Sequence, residues 1–106
     1  MDNVYLDQVR VFKAFCDENR LRILELLSRD EKCVCDLMEK MGLGQSRLSY
    51  HMKILLESGV VESRQAGKWT HYKLSEAGSR HAAELLERIT TPQPSDDDTS
   101  TSSCPL

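Results

Sequence analysis

The feature that most constrains this chain is a glycine-punctuated break, Met41-Gly42-Leu43-Gly44, between two runs of apolar residues at helical spacing. Before it, Leu37, Met38 and Met41 share one face of a helix expected from about Cys33 to Met41. After it, Leu48, Met52, Leu55 and Leu56 recur at i, i+4, i+7 and i+8, on a helix expected from Gly44–Ser46 to about Ser58. Gly42 suits the left-handed position that ends a helix, and Gly59 stops the second one. Helices this short are marginal alone, so the flanking chain must pack on both stripes.

The flanks supply that packing. Val4, Val11, Phe12 and Phe15 give residues 4–15 a helical apolar face, and Asp17 is a good N-cap for a second helix from about Glu18 to Ser28. After the glycine stop come two β-prone runs, Val60 to Gln65 and Trp69 to Leu74, joined by Ala66-Gly67-Lys68 as a hairpin. Ser75 caps a last helix, about Glu76 to Ile89, with Ala82, Leu85, Leu86 and Ile89 as its apolar set. The expected fold is mainly α with a small β-hairpin, in the order α-α-α-α-β-β-α. It occupies one domain, residues 1–90, followed by a polar tail, 91–106, too poor in apolar residues to order itself. No run of about 18 apolar residues could span a bilayer. Met1 to Asp7 carries two acids and no basic segment, so a cytoplasmic protein with reduced thiols is expected.

Helix, short turn, helix and hairpin is the order of a winged helix-turn-helix, whose second helix enters the DNA major groove. The net charge of −3 is misleading, because Asp96, Asp97 and Asp98 supply three negatives in the tail. Residues 44–73 instead carry Arg47, Lys53, Arg64, Lys68 and Lys73 against Glu57 and Glu62, a local excess of +3. Gln45 and Arg47 can pair with adenine or guanine edges; Ser46, Ser49 and Tyr50 can reach bases or phosphates. Lys53, Arg64 and Lys68 can neutralise phosphates, and His51 lies within the same reader. No catalytic triad, phosphate-binding glycine loop or carboxylate pair is present, so an enzyme is not expected. His81 and Glu84, three apart on the last helix, read as a solvated pair.

Against this frame stand Cys33-Val34-Cys35-Asp36-Leu37, Asn19-Arg20-Leu21-Arg22-Ile23-Leu24, Gln45 to Leu55, Glu57-Ser58-Gly59-Val60-Val61 and Gly67-Lys68-Trp69-Thr70-His71-Tyr72-Lys73-Leu74-Ser75. Together they make residues 15–78 resemble the arsenical-resistance repressor (ArsR/SmtB) family of metal-sensing winged-helix proteins. The resemblance implies a homodimer through the first and last helices, binding an inverted-repeat DNA operator and releasing it when metal binds. For members with this Cys-Val-Cys-Asp-Leu motif it implies As(III) or Sb(III) as effector, held by three sulfurs, or Cd(II)/Pb(II) with more. The family's other site, on the last helix, would fall on Glu76, Gly78, Ile89 and Pro92 and is not expected here.

The effector chemistry centres on Cys33 and Cys35. Side chains two apart on a helix diverge by about 200°, whereas in an extended segment they share a face. The pair is therefore expected to clasp one ion only where the first helical turn unwinds, and that distortion would reach the reading helix. Soft thiolates select thiophilic ions. Where some relatives carry a third thiol, this chain has Met38, so the third ligand is expected from Cys16, Cys104, a small exogenous thiol, or none. Cys16 also reads as a small buried apolar residue, and Cys104 rides a flexible tether. A thiol-redox repressor, and a metal-buffering or protein-interaction module without DNA binding, are the alternatives.

Overall fold

The computed structural model describes residues 3–95. Its elements are α1 (Val4–Phe12) with a 3-10 turn (Lys13–Phe15), α2 (Glu18–Leu27), β1 (Lys32–Cys33), α3 (Val34–Met41), α4 (Gln45–Ser58), β2 (Val61–Ala66), β3 (Trp69–Leu74) and α5 (Glu76–Thr90). Local signals place most boundaries. Asp17 accepts from the Asn19 and Arg20 N–H groups to start α2, and Ser75 accepts from Gly78 N–H to start α5. Gly42 (φ 65°) and Gly59 (φ 84°) end α3 and α4 in the left-handed region that a side chain disfavours.

The expected first helix is continuous to Phe15; the observed one tightens after Phe12 into the 3-10 turn and then yields to Asp17. The expected two-stranded hairpin is a three-stranded antiparallel sheet of order β1-β3-β2. Lys32 and Cys33 pair with Tyr72 and His71 of β3. Two residues are too short to carry a period-2 signal, so only the third dimension reveals this strand.

The core forms where α2, α3 and α4 meet: Ile23, Leu37, Leu48, Met52 and Leu55 are the largest fully buried side chains. Each contributes about 2 kcal/mol by leaving water. Val60, Val61, Ala82 and Leu85 extend this core, and Tyr72 and Leu74 pack against it from one face of the sheet. That face carries residues 70, 72 and 74, so Trp69, His71 and Lys73 stand on the opposite one. Gly78 lets α5 sit directly on the end of α4: a Cβ built there would lie 1.7 Å from the Gly59 carbonyl oxygen. Among the described residues, no helix is long and apolar enough to cross a membrane.

Candidate DNA interface and thiol site

Helix α4 buries Leu48, Met52 and Leu55 and turns Gln45, Ser46, Arg47, Ser49, Tyr50 and Lys53 to solvent. Six groups able to meet bases or phosphates thus share the surface of one helix. Its N-cap is Gly44, with no side chain closing the first turn, so N–H groups remain free there for an acceptor.

His51, grouped with these residues from sequence, does not belong to that surface. It is 6% exposed. Its Nδ1 accepts from Arg20 Nη1 at 3.0 Å, while Arg20 Nε donates to the Lys13 carbonyl at 3.0 Å. Burial, with the positive charges of Arg20 and Arg47 and against the pull of Asp17, holds the imidazole pKa below its usual value. A neutral ring is what the Arg20 hydrogen bond requires. His51 therefore pins α4 to the start of α2. The Asp17 carboxylate, 3.7 Å from the ring, completes the cluster. Against burial's upward push, the Arg20 N–H, His51, Arg20 itself and the Asn19 N–H hold the Asp17 pKa down.

On the wing, Arg64, expected to neutralise phosphate, is paired with Glu31: Nε donates to Oε1 at 3.0 Å and Nη2 to Oε2 at 2.6 Å. That bidentate pair lowers the Glu31 pKa, chiefly through the hydrogen bond from Arg64. Lys68 is exposed at the hairpin tip, with Nζ 5.7 Å from the centre of the Trp69 ring. Glu31 has no periodic or motif signal and was invisible in the sequence.

The thiol pair takes a form the helical reading did not anticipate. Cys33 lies outside α3, extended at φ −73° and ψ 151°, as its N-cap, and accepts from the Cys35 N–H. Its Sγ stands 2.7 Å from that of Cys35. The two sulfurs converge with α3 intact, so no unwinding is needed to bring them together. The Cys33–Cys35 hydrogen bond, then burial and the negative charges nearby, raise the Cys35 pKa above the usual thiol value.

Cys16 is exposed rather than buried, donating from Sγ to the Phe12 carbonyl at 3.3 Å. It borders a groove with Tyr5, Val9, Phe12 and Ile89. Among the described residues, no three His, Cys, Asp or Glu side chains already stand as a metal-holding cluster. Cys16 is thus not brought to the thiol pair within one chain. Cys104, and the tail from residue 96 onward, lie outside the described residues.

Helices α1 and α5 expose Val4, Tyr5, Leu6, Val9, Leu86 and Ile89. Beside them opens an apolar cavity of about 540 Å³ bounded by Phe12, Phe15, Leu24, Leu74, Ala82 and Leu86. Such a contiguous apolar face marks an interaction surface.

Comparison with known proteins agrees with this arrangement. The family model described as "Bacterial regulatory protein, arsR family" matches residues 17–63. The arsenical resistance operon repressor of Escherichia coli (strain K12) is 40% identical over 84 residues, covering 78% of this chain and 72% of that protein. The repressor of the same description from Bacillus subtilis (strain 168) is 46% identical over 66 residues, 61% of this chain and 63% of its own length. Among solved structures, a homodimeric winged helix-turn-helix DNA-binding domain from Mycobacterium bovis, described as a possible ArsR-family transcriptional regulator, matches with a TM-score of 0.65. It is 30% identical, over 87% of this chain and 91% of that one.

Proposed function

This chain belongs to the arsR family of bacterial regulatory proteins, and from that premise we propose that it is a homodimeric operator-binding repressor that releases DNA when As(III) or Sb(III) binds Cys33 and Cys35. The family is one of transcriptional regulators, not of enzymes. The observation that carries the effector assignment is the convergence of the two sulfurs, 2.7 Å apart, at the cap of the helix that precedes the reader. Arsenous acid exchanges hydroxyls for thiolates, each thiol proton leaving with a hydroxyl as water.

Two sulfurs come from this pair; a third comes from Cys16 of a neighbouring copy, Cys104 or an exogenous thiol, or else the two sulfurs suffice. Because α3 is already folded with the pair closed, coupling does not require an unwound first turn. The ion acts by fixing Cys33, which joins β1 to α3, and so biases both the wing and the reader. The coupling expected is about 1–3 kcal/mol, or roughly 5–150-fold in operator affinity.

The test is a shift assay on the operator with and without arsenite. Arsenite should release the wild type, while Cys33→Ser and Cys35→Ser stay bound. Normal release by both variants would remove the pair from the effector site. The sulfur contact also favours a second reading, in which an oxidant takes two electrons and the two thiol protons to form a Cys33–Cys35 disulfide. Release that needs an oxidant, is reversed by a dithiol and is absent with arsenite under anaerobic conditions would select it.

A further inference from the structure

We propose that Arg20 and His51 are positioning residues for operator recognition: their hydrogen bond sets how α4 stands on the start of α2, and acidification weakens operator binding by breaking it. This rests on the operator-binding reading above and makes no use of the thiol pair.

The contact is buried at both ends, Arg20 at 7% and His51 at 6% exposure. Arg20 is itself fixed, since Nε donates to the Lys13 carbonyl in the 3-10 turn while Nη1 donates to His51 Nδ1, both at 3.0 Å. The large core side chains of α4, Leu48, Met52 and Leu55, are apolar, and apolar packing has no direction. A hydrogen bond does, so this one governs how the helix is turned. Arg47 lies one helical turn before His51, and the Tyr50 ring meets the imidazole edge-on, with centroids 5.2 Å apart. The bond is thus coupled to two side chains expected to meet DNA. An open cleft of about 350 Å³ lined by Asp17, Asn19, Ser46, Arg47, Tyr50 and His51 gives water and protons access to it.

Protonation reverses the chemistry at Nδ1. A neutral imidazole accepts there; an imidazolium only donates, and Arg20 has no acceptor to offer. Two donors and two positive charges would then face each other out of water. The Asp17 carboxylate, with Oδ2 3.7 Å from Nδ1, is the acceptor within reach. That same oxygen caps α2 through the Asn19 and Arg20 N–H groups at 2.9 and 3.2 Å. Turning the ring toward it therefore loosens the start of α2 as well.

Besides burial, the charges acting on the ring are Asp17 and Arg20 at the start of α2 and Arg47 on α4 itself. Among the described residues, no charge from the 3-10 turn, α1, α3 or the sheet acts on it. Asp7 and Arg10 on α1 pair with each other, as do Glu62 and Lys73 on the sheet. Burial, with Arg20 and Arg47 and against Asp17, keeps the ring neutral to below 6.5. The bond is intact above that value and is lost as pH falls through the folded one. Each protomer takes up one proton on opening, so a dimer loses up to about 100-fold in operator affinity per pH unit there. Positive charge gained elsewhere strengthens phosphate attraction as pH falls, which is the opposite sign.

The test uses the full chain and a duplex that it selects from random sequence, with a scrambled duplex as reference. Far-UV circular dichroism at each pH confirms the fold. From about pH 7.5 to 5.5, wild-type affinity for the selected duplex should fall at least about tenfold, while affinity for the scrambled one holds or rises. His51→Asn, whose Oδ1 takes the place of Nδ1, should bind at the upper pH and show a flat profile. His51→Leu, which cannot accept, should bind weakly throughout. A flat wild-type profile, or the wild-type fall persisting in His51→Asn, overturns the proposal. If no duplex is selected, the repressor reading fails, and NMR of the free protein still decides this one. The amides from Gln45 to Tyr50 should then shift with the same midpoint as the His51 ring. A ring that titrates while those amides stay unmoved sinks the positioning role.

Discussion

A place within a polar, DNA-facing run of sequence does not by itself put a side chain on the surface. His51 lies between Tyr50 and Met52 in the reading helix, yet its burial and its bond from Arg20 make it a structural hinge pin. This has a pH consequence with a definite sign. Unfolded, the imidazole titrates near 6.5, and the fold lowers that value. Between the two values the unfolded chain binds more protons, so stability is full above 6.5 and is lost as pH falls through the folded value. Thermal melts taken from about pH 7.5 to 5 should show this loss. His51→Gln, whose Oε1 can still accept from Arg20, should flatten it. An unchanged profile in the variant would mean that other groups set the acid limb.

Among the elements, the two-residue strand β1 does more than its length indicates. It carries Cys33 into the sheet and brings Glu31 to Arg64 across 33 positions of sequence. Arg64 is exposed and Glu31 half-buried in this pair, so its effect on stability is modest. Its effect on DNA is a different matter. Glu31→Gln should free one guanidinium per protomer for phosphate and steepen the salt dependence of operator binding by about 0.9 per protomer. No change in slope would mean that Arg64 already faces DNA, or never does.

The wing tip offers an independent check, because Trp69 is the sole tryptophan of the chain and is 47% exposed beside Lys68. Its fluorescence should change on operator binding, and constant emission would place the tip off the DNA. A further prediction concerns the seat of α5 on α4. Gly78→Ala improves helix propensity by about 1 kcal/mol, but its Cβ would meet the Gly59 carbonyl. A net loss of about 3 kcal/mol or more in urea unfolding is expected.

For the whole molecule the decisive feature is the apolar surface of α1 and α5. Leu86 and Ile89 are 52% and 46% exposed, and a single small core gains from covering them. A dimer formed through this face should lose about 30-fold or more in self-affinity with Leu86→Glu or Ile89→Asp, a cost of about 2 kcal/mol. Sedimentation read beside operator binding would show it. A variant that stays dimeric would move the interface elsewhere. Two-fold pairing would also present two reading helices, matching a DNA site with two half-sites.

What the sequence determined by itself is everything written in short-range patterns. Asp17, Ser75, Gly42 and Gly59 each act on a backbone within a few residues, and they mark helix ends that the structure reproduces. The stripe of Leu48, Met52 and Leu55 is buried, and the polar face around Gln45, Arg47 and Tyr50 is exposed, because a 3.6-residue period separates them whatever the neighbours are. The two cysteines were legible as a pair, but not their conformation. Only the tertiary structure decided that Cys33 is extended, since β1 exists by pairing with a strand nearly forty positions later. It likewise decided that His51 turns inward to Arg20 and that Glu31 takes Arg64. Those partners are 31 and 33 positions apart, and no local propensity encodes a meeting that loop closure and core packing must first bring about.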